Sequence, residues 1–247
     1  MQKLMGLMRR CIDDYRMIEP EDKIAVGVSG GKDSLTLLTL LAALREYYPH
    51  SFSLSAITID MGLPGMDFSP VAAFCEELKI PYLQVRTEIA SIIFDYRKEK
   101  NPCSMCAKMR RGALNQALLE QGFRKVALGH HYDDAVETFF MSLIFEGRLS
   151  CFQPVTYLDR SGVTQIRPML YLTEGMVERF ARQNQLPVVC NLCPADKHTK
   201  REEIKALIAT LSETYPDLRN RIFGAMQRLP LPEWGVQPHP RGKKERS

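Results

Sequence analysis

The stretch Ser-Gly-Gly-Lys-Asp-Ser at residues 29–34 constrains the fold more than any other feature of the sequence. It follows an apolar run at 23–28 and precedes a helical pattern at 34–48. Glycines at a strand-to-helix junction let the backbone curl until several N–H groups face one point, and the helix N-terminus adds partial positive charge. Lys32 adds a full charge. The stretch therefore predicts a phosphate-binding loop inside a βα unit.

Strand-like runs alternate with helical patterns over most of the chain. β-branched or apolar runs of strand length occur at 23–28, 53–60, 81–87, 125–130 and 164–169. Helical patterns occur at 34–48, 69–79, 103–121, 133–146, 173–185, 199–214 and 217–228. This alternation is typical of right-handed βαβ units, so we predict an α/β protein with a doubly wound parallel sheet covered on both faces.

The same patterns predict how the chain is divided. We expect an N-terminal amphipathic helix at 1–20, a nucleotide-binding domain at 21–172, a helical part at 173–230 and a tail at 231–247. The apolar fraction of 45% is ordinary for a globular protein, and no apolar run is long enough to span a membrane. Seven cysteines without a secretion signal favour a reduced cytoplasmic setting, and the net charge of +4 permits nucleic-acid binding without requiring it.

The loop differs from the common nucleotide-binding motif G-x-x-x-x-G-K-[ST]. Val26 occupies the place of the first glycine, and Asp33 replaces the hydroxyl residue that would hold magnesium. The loop instead resembles the pyrophosphate loop of the ATP pyrophosphatases, which cleave ATP between the α and β phosphates. That resemblance implies an ATP site built from Ser29, Gly30, Gly31, Lys32, Asp33 and Ser34.

A second motif, Leu-Gly-His-His-Tyr-Asp-Asp at 128–134, also lies where a strand ends and a helix begins. In an open parallel sheet, both motifs fall at the same carboxyl edge. Asp133 and Asp134 could hold Mg²⁺ against phosphates, since this ion prefers oxygen ligands. Asp133 could equally cap the helix. His130 and His131 are either packed histidines or catalytic groups.

Two Cys-x-x-Cys pairs form the third motif, Cys103 with Cys106 and Cys190 with Cys193. They could make a closed zinc site, redox-active dithiols, or an iron–sulfur cluster held by three thiolates with one iron open. Spacing alone favours zinc. Cys11 and Cys75 fall in helical patterns and are expected in the core, whereas Cys151 has no partner motif.

Together, the loop, the Leu-Gly-His-His-Tyr-Asp-Asp motif and the two cysteine motifs resemble the tRNA 2-thiolation enzymes of the TtcA and TtuA type. The resemblance covers about residues 20 to 225 in the same order. It is nearer to the TtcA branch, because the sequence lacks the extra cysteine-rich zinc modules of the other branch. It implies ATP and a [4Fe-4S] cluster bound by three cysteines.

Carried onto this chain, the resemblance assigns the cluster to Cys103, Cys106 and either Cys190 or Cys193, with Cys193 preferred because a proline follows it. It assigns a basic residue near ATP to Arg110 or Arg111. The ATP site also receives Asp60, Gly129 and Asp134. Lys32, Asp33, Arg110 and Asp134 become the expected catalytic residues.

The implied reaction is ATP-dependent sulfur transfer to a cytidine of the tRNA anticodon loop, with free sulfide or a persulfide carrier as sulfur donor. A homodimer is possible. A basic face for RNA could come from Lys108, Arg110, Arg111, Arg148, Lys197, Lys200 and Arg201. Two alternatives stay open: cluster-dependent sulfur handling on a small molecule without nucleic acid, and a zinc-stabilised nucleotide-binding module.

Overall fold

A six-stranded sheet with the strand order β3-β2-β1-β4-β6-β5 organises the molecule. The computed structural model describes residues 1–97, 102–190, 192–194, 199–228 and 234. The strands are β1 Asp22–Gly27, β2 Phe52–Asp60, β3 Tyr82–Arg86, β4 Lys125–Ala127, β5 Val155–Leu158 and β6 Val163–Ile166. Neighbouring strands pair in parallel except β5 with β6, which are antiparallel. The predicted α/β class with a parallel sheet is therefore confirmed, with the difference that the edge strand β5 is antiparallel.

The helices alternate with the strands much as the sequence predicted. They are α1 Gln2–Asp14, α2 Lys32–Arg45, α3 Ser69–Glu77, α4 Ile89–Ser91, α5 Pro102–Glu120, α6 Tyr132–Met141, α7 Glu174–Gln183, α8 Lys200–Thr214 and α9 Leu218–Arg228. Segments of π-helix follow α4 and α6, at Ile92–Tyr96 and Ser142–Glu146. None of the helices in the described ranges combines the length and the apolar character that crossing a membrane requires.

The strand order places β1 at the point where the connections change direction. From β1 the chain runs to β2 and β3 on one side, and β4 then pairs with the other side of β1. In open parallel sheets, ligands bind at the carboxyl ends of the strands flanking such a switch point. The loop at 29–34 follows β1 and the loop at 128–131 follows β4, so the two motifs are neighbours as predicted.

The hydrophobic core surrounds α2, the helix that begins within the loop at 29–34. Leu35, Leu37, Leu38, Leu40, Leu41 and Leu44 of α2 are all 0% exposed. Such a helix is covered on every side, which makes it a rigid base for the loop. Cys11 and Cys75 are also fully buried, as predicted, and burial raises the pKa of the Cys75 thiol to about 11.

Three features differ from the sequence prediction. Strand β5 was not predicted, because a four-residue edge strand gives little periodic signal. The predicted strands at 125–130 and 164–169 end earlier, at Ala127 and Ile166, although Leu128 and Arg167 each still donate one backbone hydrogen bond to the neighbouring segment. Within the predicted tail, Trp234 is 1% exposed and packs edge-on against Phe223 at 5.7 Å, so that residue belongs to the core.

Candidate active site at the switch point of the sheet

Hydrogen bonds between the two serines shape the loop after β1. The Ser29 N–H donates to Ser34 Oγ at 3.1 Å, and Ser34 Oγ donates to the Gly31 carbonyl at 3.0 Å. Gly30 has a φ of +81°, and a Cβ there would lie 3.0 Å from Cβ of Val189. Glycine is required at this position both for the backbone conformation and for the close approach of Val189.

Lys32 lies at the start of α2 and is held by two carboxylates. Its Nζ is 3.1 Å from Asp33 Oδ1 and 3.3 Å from Glu174 Oε1. Burial lowers the pKa of Lys32, but the two carboxylates outweigh burial, so the net pKa is raised. Glu174 also accepts from Lys205 Nζ at 2.9 Å. Lys32 is therefore charged, and Glu174 has a second cation to retain if Lys32 turns toward a phosphate.

The loop after β4 packs directly on this helix start. A Cβ on Gly129 would lie 3.1 Å from the Asp33 carbonyl carbon and from the Ser34 nitrogen. His131 caps α6: its Nδ1 accepts from the Asp134 N–H at 3.4 Å, and Asp134 Oδ2 accepts from the His131 N–H at 2.9 Å. The expectation that Asp133 might cap this helix is wrong, because His131 occupies the N-cap position.

Both candidate magnesium ligands have protein partners. Asp133 accepts from the Glu174 N–H at 2.7 Å and pairs with Arg219. Asp134 Oδ1 accepts from Arg201 at 2.9 Å. Asp133 thus joins α6 to α7 and α9, while Asp134 joins α6 to α8.

Two cavities open beside the loop. The larger, of about 660 Å³, crosses the sheet from β2 to β6. Ile57, Ile59, Leu114 and Leu128 make its β2 side apolar, and His130, Gln153, Gln165 and Arg167 make its β6 side polar. The smaller, of about 210 Å³, lies between the loop and the segment after β2; its lining includes Ser29, Gly31, Asp60 and Met61.

Arg110 lines both cavities, whereas Arg111 lines only the larger one. Asp60 shapes the smaller cavity: its Oδ1 accepts from the Gly62 N–H and its Oδ2 accepts from Gln84, each at 2.9 Å. Of the predicted basic face, Arg201 also lines the larger cavity, and Lys197 lies outside the described residues. Arg110, Arg111 and Arg201 therefore face the cavities, whereas Lys108, Arg148 and Lys200 are exposed at the surface and line neither cavity.

The cysteine pairs approach the loop from two sides. Helix α5 begins at Pro102, which places Cys103 and Cys106 in its first turns. Cys106 Sγ lies 3.3 Å from Met61 Sδ, beside the smaller cavity. The second pair is anchored by the Val189 N–H, which donates to the Gly30 carbonyl at 2.9 Å.

The thiols interact electrostatically but do not form a closed set of ligands. Burial raises the pKa of Cys106, Arg110 lowers it, and Cys193 and Cys103 raise it again. All four cysteines are free of disulfides. Within the described ranges, no three His, Cys, Asp or Glu side chains are close enough together to surround a metal ion. The soft thiol donors of Cys103, Cys106 and Cys193 nevertheless suit iron better than a hard cation.

Several residues of the site were missed by sequence reasoning. Glu174, Arg219, Gln165 and Arg167 had no predicted role. Arg167 offered a signal, since a charged residue beside a buried strand is expensive without a partner. His130 packs against Phe152, with the two ring centres 4.8 Å apart, and burial lowers its pKa to about 4.

A loop of this form at the switch point of a parallel sheet defines a PP-loop protein, and the PP-loop domain family matches the chain over residues 5–211. Relatives of similar sequence show which family of PP-loop proteins the chain belongs to. The chain is 35% identical over 234 residues to the tRNA-cytidine(32) 2-sulfurtransferase of Coxiella burnetii, covering 92% of this chain and 90% of the relative. It is 38% identical over 228 residues to that of Syntrophotalea carbinolica, covering 91% and 88%. The chain thus belongs to the tRNA-cytidine(32) 2-sulfurtransferase family of PP-loop proteins, which confirms the resemblance to the TtcA branch.

A solved structure extends the likeness. The U34-tRNA thiolase NcsA from Methanococcus maripaludis, determined with its [4Fe-4S] cluster, superposes with a TM-score of 0.72 at 26% identity. The match covers 88% of this chain and 75% of the thiolase.

Proposed function

We propose that this chain uses ATP to activate O2 of a cytidine in the tRNA anticodon loop and replaces that oxygen with sulfur. The proposal rests on one observation: the loop at 29–34 lies next to the segments that carry Cys106 and Cys190. Val189, next to Cys190, donates to Gly30 of the loop, and the smaller cavity separates that loop from Met61, which contacts Cys106. The phosphate site and the thiols thus flank one space where a base could react.

ATP fits the larger cavity with its phosphates at the loop. The apolar β2 side suits the adenine ring, and Ser29 of the loop lines the same cavity. Beyond Ser29 the phosphates would meet the ammonium of Lys32 and the N–H groups of Gly30 and Gly31, of which Gly31 would exchange Ser29 Oγ for a phosphate oxygen. Lys32 then exchanges Glu174 for a phosphate, and Glu174 stays neutralised by Lys205. Arg110 lies between the cavities, where it could stabilise charge that develops on the α-phosphate.

The reaction balances in two steps. Cytidine O2 attacks the α-phosphorus, and the bond to the β-phosphate oxygen breaks, so pyrophosphate leaves with the electron pair. Hydrosulfide then attacks C2, the C2–O2 bond breaks and AMP leaves with that oxygen. Loss of the sulfur proton to solvent gives neutral 2-thiocytidine. The chain contributes positive charge at the phosphates in the first step and exclusion of water in the second.

Cys103, Cys106 and Cys193 are proposed to hold a [4Fe-4S] cluster, and Cys190 is proposed to lie beside it. When bound, such a cluster with one open iron supplies a position at which sulfide can be presented to the base. The sulfide itself comes from free sulfide or a persulfide carrier. Magnesium at Asp133 requires that carboxylate to exchange Arg219 for the ion, and Asp134 would likewise exchange Arg201.

Single Cys→Ser variants prepared without oxygen test the cluster assignment. Iron and sulfide content should be lost in Cys103→Ser, Cys106→Ser and Cys193→Ser, because each removes one ligand. Cys190→Ser should keep both. Equal loss in all four variants would instead support a closed structural site, and a colourless zinc-containing wild-type protein would support the zinc-stabilised module.

Lys32→Ala tests the loop. ATP-dependent formation of 2-thiocytidine in tRNA should fall at least a hundredfold, since the phosphates lose a point charge. The fold should persist, because Lys32 is only half-buried and Glu174 keeps its ion pair with Lys205 when Lys32 is removed. Lys23→Ala, an exposed lysine at the opposite end of β1, serves as the matched control. Unchanged turnover in Lys32→Ala would exclude this loop as the ATP site.

A further inference from the structure

Arg167 is a buried cation, and none of the residues in the described ranges supplies a counter-ion for it. It follows β6 and is 5% exposed. Its guanidinium donates to the Gln153 carbonyl at 2.6 Å, to Thr156 Oγ1 at 3.1 Å and to Gln165 Oε1 at 3.3 Å, all of which are neutral. Among the residues that the structure describes, no carboxylate pairs with Arg167, and its Nε is buried without a hydrogen-bond partner. Buried charges are normally paired, so this one lacks an expected anion.

Arg167 and several residues around it line the larger cavity. Its guanidinium lies 4.9 Å from the centre of the Phe152 ring, which the His130 ring contacts as well. Nδ1 of His130 is also buried without a partner, and both residues line the cavity. Arg111 lines it too, and its charge adds to burial in lowering the pKa of Arg167 to about 10. Arg167 remains charged at neutral pH, so this end of the cavity is positive.

We propose that the β6 end of the larger cavity is a second anion site, in which Arg167 binds a backbone phosphate of the RNA substrate. The inference rests on the proposed function. Arginine presents a planar fork of donors that matches phosphate oxygens, and such contacts fix the position of a nucleic acid without reading its sequence.

The position of the site separates this anion from ATP. The phosphate-type loop follows β1, and β6 lies two strands away, about 10 Å at the usual strand spacing. The phosphates of ATP are assigned to the loop, so an anion at Arg167 belongs to the other substrate.

Gln165→Glu is the sharpest test, because it adds a carboxylate beside the guanidinium with almost no change of shape. If Arg167 lacks an anion, the variant should unfold at the same or a higher temperature than the wild type. It should nevertheless bind tRNA about tenfold more weakly at moderate salt. The slope of log affinity against log salt concentration should become shallower by about 0.7 to 0.9, the value for one lost phosphate contact.

Companion variants complete the experiment. Arg167→Gln should reduce the salt slope equally, and Arg167→Lys should retain it because the charge is kept. Arg160 is an exposed arginine in the turn between β5 and β6, and Arg160→Gln should change neither the salt slope nor the stability. ATP affinity should stay within twofold of the wild type in every variant.

The outcomes separate the two proposals. Wild-type protein without affinity for tRNA would overturn the proposed function, and this inference with it. Wild-type binding with an unchanged slope in both Gln165→Glu and Arg167→Gln would overturn only the anion site and leave Arg167 a structural residue of the β5–β6 hairpin. A loss of ATP affinity in Gln165→Glu would likewise overturn it, because the anion would then be a phosphate of the nucleotide.

Discussion

At the scale of single residues, the site depends on close backbone contacts as much as on charged groups. Gly30 approaches Val189, and Gly129 approaches the Asp33–Ser34 peptide, with spacings that leave no room for a side chain. The carboxylates of Asp133 and Asp134 hold helices in place through arginines. Residues that look like ligands in the sequence therefore also build the walls against which the phosphate-type loop is formed.

Gly129→Ala should disturb the loop without changing any charged residue. The new Cβ would lie 3.1 Å from two backbone atoms, so the start of α2 must shift. We expect about 1–3 kcal/mol of destabilisation and at least a tenfold loss of ATP affinity. Calorimetric titration with ATP and denaturant unfolding measure the two effects.

Gly175→Ala provides the matched control, because its new Cβ meets nothing within 4 Å and α7 gains a better helix former. That variant should be as stable as the wild type or slightly more stable. If Gly129→Ala binds ATP as tightly as Gly175→Ala, the close contact has no part in shaping the loop.

At the scale of elements, α8 is joined to α6 through one arginine. Arg201 pairs with Asp134 and, at 3.2 Å, with Glu137, which is only 3% exposed. Burial raises the pKa of Glu137, and Arg201 opposes that rise. Helix α8 follows the second cysteine pair in the chain. The ion pairs of Arg201 with Asp134 and Glu137 therefore also hold the C-terminal end of the segment that carries Cys190 and Cys193.

Arg201→Met should destabilise the fold by about 1–3 kcal/mol at pH 8, because Glu137 is left buried without its partner. The pKa of Glu137 should then rise further. An acid whose folded pKa is raised binds protons more readily in the folded state, so stability falls as pH rises. The deficit relative to the wild type should therefore be smaller at pH 5 than at pH 8.

Urea unfolding at both pH values measures this difference. Lys200→Met is the matched control, since Lys200 is exposed and its ammonium lies over the Phe145 ring without pairing with Glu137. A deficit in Arg201→Met that does not depend on pH would show that Glu137 is not the group left unpaired.

At the scale of the whole molecule, the C-terminal helices close the core of the nucleotide-binding part. Phe223 of α9 stacks on Tyr132 of α6 at 4.6 Å and meets Trp234 on its other edge. Tyr171 and Asp14 share a hydrogen bond of 2.8 Å that joins α1 to the segment before α7. Because these contacts join the N-terminal helix, the central part and the C-terminal helices, we expect the chain to unfold in one cooperative transition.

Trp234 is the single tryptophan of the chain, so its fluorescence tests directly whether the C-terminal part unfolds together with the rest of the protein. Its unfolding curve in urea should overlay the curve from far-UV circular dichroism. Phe223→Ala should lower the stability by about 3–5 kcal/mol and shift both curves together. Tyr157→Ala, at a position 61% exposed, should shift neither. A fluorescence transition at lower urea than the dichroism transition would show that the C-terminal part unfolds on its own.

The sequence by itself determined the phosphate-type loop, the alternation of strands and helices, and the burial of Cys11 and Cys75. These features are local: glycine needs no neighbour to adopt a positive φ, and the period of apolar residues predicts which face of an element is buried. The edge strand β5 escaped because its four residues are too few to show a period.

Only the tertiary structure decided which charges meet. Lys32 and Glu174 lie 142 positions apart in the chain, and Asp133 and Arg219 lie 86 apart. No local pattern links such residues, because the strand order and the docking of α7 to α9 bring them together. The same holds for Arg167: only the packing of the described residues shows that none of their carboxylates pairs with it. Interactions across the fold depend on all the elements between them, and this is why the sequence predicted the loop but not the charged residues that surround it.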